Sequence, residues 1–127
     1  MIYSSPISLP DYPSNLAVML NEMRDRLPHQ VVYQERKTDT YLPVTWSVFH
    51  QEICALQAGL QSLSLSKGDR VAILSRNCRE MLEIELAVMS MGAISVPIFA
   101  GYPCEQVNRL IEYCDPKIVV VADQNQF

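Results

Sequence analysis

The chain has 127 residues, of which 49% are hydrophobic and 19% are charged, and its formal net charge is −4. This length fits one domain. The mild negative charge offers no basic face for nucleic acid and does not favour binding to anionic membranes. No apolar run reaches the ~20 residues of a transmembrane segment, and the N-terminus lacks a secretion signal. We therefore expect a cytoplasmic protein.

The first part of the chain predicts a short lead-in followed by a helix. Residues 1–13 contain three prolines and little apolar pattern, so we expect an extended lead-in there and an α/β subdomain over residues 14–127. Ser14 is predicted to cap the first helix, and Leu27-Pro28 is predicted to end it. Apolar residues recur at helical spacing in this segment: Leu16, Met19, Leu20 and Met23.

A β-hairpin and a long helix are expected next. Residues 31–36 and 41–45 have strand-like composition and flank a polar turn, with Pro43 expected on an edge or in a non-bonding position. Thr45 or Ser47 is predicted to start the longest helix. A single apolar stripe, which is typical of packing on a sheet, runs along it: Phe49, Ile53, Leu56, Leu60 and Leu63.

The remainder predicts a βαβαβ unit. Apolar strands at residues 71–74, 93–99 and 117–122 alternate with helical patterns, and such crossovers require a parallel sheet. The strands Ala93–Phe99 and Val119–Val121 are apolar enough to be covered on both faces. The predicted fold class is therefore α/β: a βαβαβ parallel sheet flanked by helices and preceded by an N-terminal helix and a β-hairpin.

The polar residues after the first parallel strand have a structural and a ligand-binding interpretation. Asn77 and Glu80 fit a capping box at the start of a helix, although the loop Ser75-Arg76-Asn77 could also meet a ligand at the sheet edge. Glu80, Glu83 and Glu85 are expected to form the solvated side and cap of that helix. The capping interpretation explains these residues without a ligand.

Two further segments carry residue types that are found in functional sites. Ser64–Gly68 has the serines, lysine and glycine of a phosphate loop, but it lies between a helix and a strand and predicts a turn. No G-x-G-x-x-G follows either of the first two parallel strands. The four cysteines form no C-x-x-C pair and are not spaced as zinc ligands with His29 or His50. We expect buried or half-buried reduced thiols at these positions, with a metal site or a catalytic thiol as the alternative: Cys54, Cys78, Cys104 and Cys114.

Three segments together resemble the N-terminal portion of the AMP-forming acyl-CoA synthetases, closest to the fatty-acid CoA ligase branch. Thr45–Phe49 is similar to the family's Thr-Trp or Thr-Tyr helix start. Lys67–Asn77 resembles its Gly-Asp-Arg-Val strand ending in Asn, and Leu86–Ile98 is very like its Gly-Ala and Val-Pro motif. The resemblance continues through Glu105–Tyr113 and covers about residues 31–122.

The resemblance implies a full-length enzyme that uses ATP and Mg²⁺ to form an acyl-adenylate and passes the acyl group to coenzyme A. In this family the phosphate loop, the nucleotide contacts and the catalytic lysine lie further along the chain than the segments matched here. The resemblance therefore assigns no catalytic, cofactor-binding or metal-binding residue to this sequence. It implies an incomplete N-terminal subdomain that is inert alone and binds no cofactor.

The apolar strand at Val119–Val121 suggests what this chain associates with. Five residues after Ala122, the last residue of the predicted strand, the sequence ends, and an uncovered apolar edge is an aggregation hazard. We expect either the remainder of a synthetase chain or a self-association partner at this edge. The alternatives to a scaffold are a free-standing interaction or dimerisation module derived from such an enzyme and a small nucleotide-binding α/β domain of another family.

Overall fold

A computed structural model describes residue 7 and residues 12–123, so most of the predicted lead-in lies outside the described residues. Within these residues the chain forms four helices and five strands. In chain order they are α1 (Leu16–Arg26), β1 (Val31–Lys37), β2 (Thr40–Thr45), α2 (Trp46–Ser62), β3 (Arg70–Ser75), α3 (Arg79–Ser90), β4 (Ile94–Phe99), α4 (Cys104–Cys114) and β5 (Ile118–Val121).

The three later strands form a parallel sheet in the order β4–β3–β5. Val71 of β3 lies opposite Ser95 on one side and Ile118 on the other. Both crossovers run through a helix, as parallel pairing requires. The predicted parallel βαβαβ unit is therefore confirmed, with its first strand in the middle.

The two faces of β3 pack into two different apolar clusters. Val71 and Ile73 join the large cluster that α2 and α3 supply, whereas Ala72 and Leu74 join a smaller one with Val107 of α4. Successive side chains of a strand point to opposite faces, so an unbroken apolar run needs cover on both. Helices on the two sides of the sheet provide that cover.

The hairpin is attached to the start of α2. The strands β1 and β2 pair antiparallel, and Pro43 lies opposite Gln34 in this two-stranded ribbon, as predicted for an edge position. Thr45 is the N-cap of α2, and its Oγ1 accepts a hydrogen bond from the Val48 N–H at 3.4 Å. The ring of Tyr33 meets that of Phe49 edge to face with centroids 5.6 Å apart. The predicted start of α2 at Thr45 is confirmed.

Two other predicted caps are wrong by one residue. Asn15, and not Ser14, caps α1, and its Oδ1 accepts from the Val18 N–H at 3.0 Å. Cys78 occupies the N-cap of α3 and makes no side-chain cap bond, so the predicted capping box of Asn77 and Glu80 does not form. The helix α3 begins one residue later than the box requires, and Glu80 becomes its second residue.

The sheet is covered less completely than the sequence predicts. Within the described residues β4 and β5 are both edge strands, and Phe99 is 68% exposed while Val119 is 37% exposed. Leu63 of the α2 stripe is also exposed, because it lies at the C-cap where the helix ends. The expectation of cover on both faces is wrong in part for the outer strands: Phe99 lies on the face that α2 and α3 cover, Val119 lies on the face that α4 covers, and the helices reach neither fully.

A pair of glycine substitutions tests the turn between α3 and β4. Gly92 follows α3 with φ +72°, and an added Cβ would lie 3.1 Å from the Lys67 Cγ. We expect Gly92→Ala to lower the free energy of unfolding by about 1–2 kcal/mol, because an L side chain is strained in the left-handed region. Urea denaturation followed by circular dichroism measures the change.

The matched control is Gly59→Ala within α2. No atom lies within 4 Å of its added Cβ, so the new methyl group meets open space. We expect this variant to raise stability by about 0.5–1 kcal/mol, since alanine is the better helix former. Equal losses in both variants would contradict the assigned role of Gly92.

Candidate functional site

The carboxyl end of β3 is the natural place for a site, because parallel α/β sheets bind ligands at this edge. Ser75 ends the strand as a buried residue, and its Oγ donates to the carbonyl oxygen of Arg76 at 2.8 Å. Arg76 and Asn77 are exposed. The predicted loop therefore lies at the sheet edge, but its one buried side chain is engaged with the neighbouring backbone.

Four charged side chains meet beside this loop, which we call the Arg79 cluster (Glu35, Glu52, Arg79 and Glu83). The Nε of Arg79 donates to Glu83 Oε1 at 2.6 Å, and its Nη1 donates to Glu35 Oε2 at 3.2 Å. Its Nη2 is in contact with the Glu52 carboxylate. The carboxylates come from α3, β1 and α2 respectively, so one guanidinium joins three elements.

Glu83 corrects the expectation that the glutamates of α3 are solvated. It is only 5% exposed, and its partner Arg79 is largely buried too. The hydrogen bond to Glu83 raises the pKa of Arg79 above its ordinary value, while burial opposes the shift and Glu35 adds to it. The i,i+4 spacing of Arg79 and Glu83 was a usable sequence signal for this pair. Glu35 lies 44 residues from Arg79, and no local pattern indicates that contact.

Tyr33 borders the Arg79 cluster from β1. Its hydroxyl oxygen is buried, and burial raises the pKa of Tyr33 to about 12. The positive charge of Arg79 opposes this shift, whereas the negative charges of Glu83 and Glu35 add to it. The hydroxyl therefore stays protonated throughout the neutral range and does not act as a base there.

A cleft of about 680 Å³ runs between the Arg79 cluster and the β5 strand. Its apolar part includes Leu56, Ile84 and Val120, and its charged part includes Glu35 and Arg79. Elements that are distant in sequence meet here, and β5 borders the cleft as one of the two outer strands of the sheet. The cleft could receive an apolar element of protein next to the sheet.

The residues of this edge do not fit a nucleotide phosphate. The N-terminus of α3 already holds a carboxylate: a hydrogen bond from its own backbone amide, with a further one from Cys78, lowers the pKa of Glu80, against the effect of burial. A phosphate would have to displace this carboxylate and would face the glutamates of the Arg79 cluster. Neither ATP nor a magnesium–phosphate complex is therefore matched by the charges present.

Ser64–Gly68 is a turn, as predicted, and its polar groups are used internally. The Ser66 N–H donates to Asp69 Oδ2 at 2.7 Å, and Lys117 Nζ donates to the Ser64 carbonyl oxygen at 2.6 Å. The bond from Lys117 to Asp69, followed by that from Ser66, lowers the pKa of Asp69. The segment connects α2 to β3, and Lys117, the residue before β5, is hydrogen-bonded to it.

The cysteines are all free thiols, but their exposure differs from the prediction. Cys78 and Cys114 are half-buried, whereas Cys54 and Cys104 are exposed, so the prediction of burial was wrong for these two. Among residues 7 and 12–123, no group of three or more His, Cys, Asp or Glu side chains could hold a metal ion. In the same residues no helix combines the length and apolar character needed to cross a membrane.

Comparison with known proteins identifies the class to which this scaffold belongs. The structure is similar to the N-terminal subdomain of NpsA from Klebsiella oxytoca, with a TM-score of 0.77 and 24% identity over 88% of this chain and 28% of that one. It is also similar to a fatty acyl CoA synthetase from Mycobacterium tuberculosis, with a TM-score of 0.77 and 25% identity over 84% of this chain and 21% of that one. The fold is that of the N-terminal subdomain of adenylate-forming enzymes.

Sequence comparison places the chain in one family. Residues 22–127 match the family described as AMP-binding enzyme, and the chain belongs to it. It is 33% identical to the long-chain-fatty-acid–CoA ligase FadD15 of Mycobacterium bovis, over 84% of this chain and 18% of that protein. It is also 33% identical to an acetyl-coenzyme A synthetase of Methylocella silvestris, over 64% of this chain and 13% of that protein. The chain thus spans less than a fifth of these relatives.

Removing the central cation tests whether the Arg79 cluster holds the elements together. We expect Arg79→Met to lower the free energy of unfolding by about 3 kcal/mol, because it leaves the buried Glu83 without its partner. Urea denaturation at pH 7 measures the loss. In the double variant Arg79→Met/Glu83→Leu we expect much of the stability to return, since the most buried of the three carboxylates is removed with its partner while Glu35 and Glu52 keep more contact with solvent.

Arg109→Met is the matched control for the arginine substitution. Arg109 pairs with Glu105 at 2.6 Å on the exposed surface of α4, also at i,i+4 spacing. We expect a change of no more than about 0.5 kcal/mol, as for other solvated helix pairs. A similar loss from both arginines would contradict the role assigned to Arg79.

The raised pKa of Tyr33 predicts a specific alkaline destabilisation. Its folded-state pKa of about 12 exceeds the ordinary value of 10.0, so its contribution is complete below pH 10 and is lost as the pH rises towards 12. We expect Tyr33→Phe to flatten the fall in stability across this window. Chemical denaturation at several pH values measures the slope. Tyr113→Phe, at an exposed position, should keep the original slope.

Proposed function

We propose that this chain is scaffold from the N-terminal subdomain of an ATP-dependent fatty-acid or carboxylic-acid:CoA ligase, and that it is inert on its own. Membership of the AMP-binding enzyme family supports the use of ATP by the complete enzyme. Relatives named as ligases of long-chain fatty acids and of acetate support an acid substrate and transfer to coenzyme A. Mg²⁺ belongs to the proposal as the usual partner of ATP phosphates.

The observation that carries the inertness proposal is the state of the polar groups at the sheet edge. Glu80 occupies the N-terminus of α3, and Arg79 is engaged by three carboxylates. A catalytic site needs groups that can reach a substrate, whereas these groups contact one another. We therefore assign the Arg79 cluster to holding the scaffold in shape. The division at residues 1–13 and 14–127 and the cytoplasmic location stay predictions.

The partner that we propose for this scaffold is the remaining part of the synthetase polypeptide, bound along β5. Within the described part of the chain, β5 pairs with β3 on one side only, and Val119 is partly exposed. An apolar strand with one free edge favours pairing with another strand. The cleft beside Val120 would then receive apolar side chains of the added element.

The inertness proposal is tested by ATP–pyrophosphate exchange with a panel of carboxylic acids from acetate to long-chain fatty acids. We expect no exchange by the purified chain. Calorimetric titration with ATP, AMP and coenzyme A should show no binding tighter than about 1 mM, equivalent to ~4 kcal/mol. Exchange above the buffer background, or micromolar binding of ATP, would overturn the proposal and favour a nucleotide-binding domain.

The same exposed edge favours one alternative, a self-associating module. Sedimentation of the chain and of Val119→Lys separates the two hypotheses, because a charge on the strand opposes edge-to-edge pairing. A defined dimer that Val119→Lys abolishes would support the module. Tyr113→Lys, which places the same charge on the exposed surface of α4, is the matched control. We expect no stable dimer from any of the three chains.

A further inference from the structure

The cleft beside the Arg79 cluster joins an apolar wall to an acidic rim. The wall includes Leu56 of α2 and Val120 of β5, and Glu52 of α2 belongs to the rim. Glu52 precedes Leu56 by four positions, so the two side chains share one face of α2, with their Cβ atoms about 5–6 Å apart. Ala55, an exposed residue of the same helix, also lines the cleft. An occupant of the cleft therefore meets apolar surface and a carboxylate one helical turn apart.

The carboxylates at this rim outnumber the cations that they contact. Glu35 has two partners, since its Oε2 lies 3.2 Å from Arg79 Nη1 and 3.6 Å from Lys37 Nζ. Among the residues that the structure describes, Glu52 and Glu83 have ion pairs with Arg79 alone. Glu83 is buried, whereas the side chain of Glu52 is 39% exposed. The excess negative charge is therefore accessible at Glu52.

We propose that the cleft binds a segment of the remaining synthetase polypeptide that presents a lysine or arginine beside an apolar side chain. This inference rests on the proposed function, which supplies that polypeptide as the partner along β5. Four glutamates and three basic residues line the cleft, so its charge is complementary to a cationic group. Lysine and arginine have an apolar stem below the charged head, so one such side chain packs on Leu56 and reaches the carboxylate of Glu52.

Two other occupants match the cleft less well. A fatty acid fits the apolar wall, but its carboxylate would face the excess negative charge at Glu52. A second copy of the chain that binds through the same cleft would bring the same acidic rim against itself, because a two-fold interface pairs each surface with its own copy. Like charges across an interface oppose association. The rim therefore favours a basic segment over either alternative.

Two amphiphiles with the same chain length and opposite charge probe this preference: octylammonium and octanoate. Each is added below its aggregation concentration at pH 7, and the shifts of backbone amide NMR signals locate its site and give its dissociation constant. We expect both probes to shift residues that line the cleft. Octylammonium should bind about fivefold more tightly than octanoate, which is the scale of a partly solvated ion pair. Octanol, with the same chain and no charge, should have an intermediate affinity.

Substitutions on α2 test whether the charge at Glu52 sets this preference. Glu52→Gln removes the charge and should bring the two dissociation constants to within about twofold. Ala55→Lys should do the same, because its ammonium group lies at i,i+3 spacing from Glu52 and occupies that carboxylate. Ala58→Lys is the matched control, since Ala58 is an exposed residue of α2 outside the cleft lining. This variant should keep the original ratio.

The inference is overturned if octanoate binds as tightly as octylammonium, if the shifted amides lie outside the cleft, or if Ala55→Lys keeps the original ratio. Ala55→Lys removes no side chain from the Arg79 cluster, so the test holds even where Glu52→Gln lowers stability. Each of these outcomes leaves the inertness proposal intact. Conversely, ATP–pyrophosphate exchange by the purified chain would overturn the scaffold assignment without changing the charge preference of the cleft.

Discussion

The strand β3 is the constraint on which the rest of the structure depends. It is hydrogen-bonded on both sides, and residues 71–75 are all buried. A strand of this kind satisfies its backbone only inside a sheet and its side chains only between two layers. The positions of α2 and α3 on one face, and of α4 on the other, follow from that requirement.

The same central position leaves open surface at the outer strands. The strand β5 pairs with β3 along one edge, and within the described residues nothing pairs with its other edge. The cleft beside Val120 lies at this open side, between the sheet and the Arg79 cluster. The most buried strand therefore lies next to this cleft, which Ile73 and Ser75 of β3 help to line. This arrangement supports the proposal that further protein binds along β5.

Much of the fold could be predicted because its signals are local. The apolar run of β3, the stripe of α2 and the Thr45 cap each depend on a few neighbouring residues, and the structure confirms the run, the cap and the stripe as far as Leu60. The caps at Ser14 and Asn77 failed by one position. Ser14 and Asn15 are both good cap residues and are adjacent, so the local pattern places the start of α1 only to within a residue or two.

The candidate site was much less predictable than the fold. Its charged contacts join β1, α2 and α3. Within each element taken alone, these charged residues occupy positions that the sequence pattern assigns to a solvated surface. Glu83 illustrates the difficulty, because its burial depends on Arg79 being present and on both helices being in place. The contact between Asn21 of α1 and His50 of α2 joins residues 29 positions apart, and it too requires the two helices to pack together first. Such contacts exist only after tertiary packing.

The geometry of the Arg79 cluster argues for a structural role at the sheet edge. A guanidinium has five N–H donors in a fixed plane, and here all three of its nitrogens face carboxylates from different elements. Buried charges tolerate displacement poorly, because any move that breaks a pair leaves a desolvated charge. The hairpin is therefore fixed relative to the start of α3, beside the loop at which β3 ends. The Arg79 cluster has the residue types of a binding or catalytic site. We conclude that its charges instead hold the loop after β3 in place.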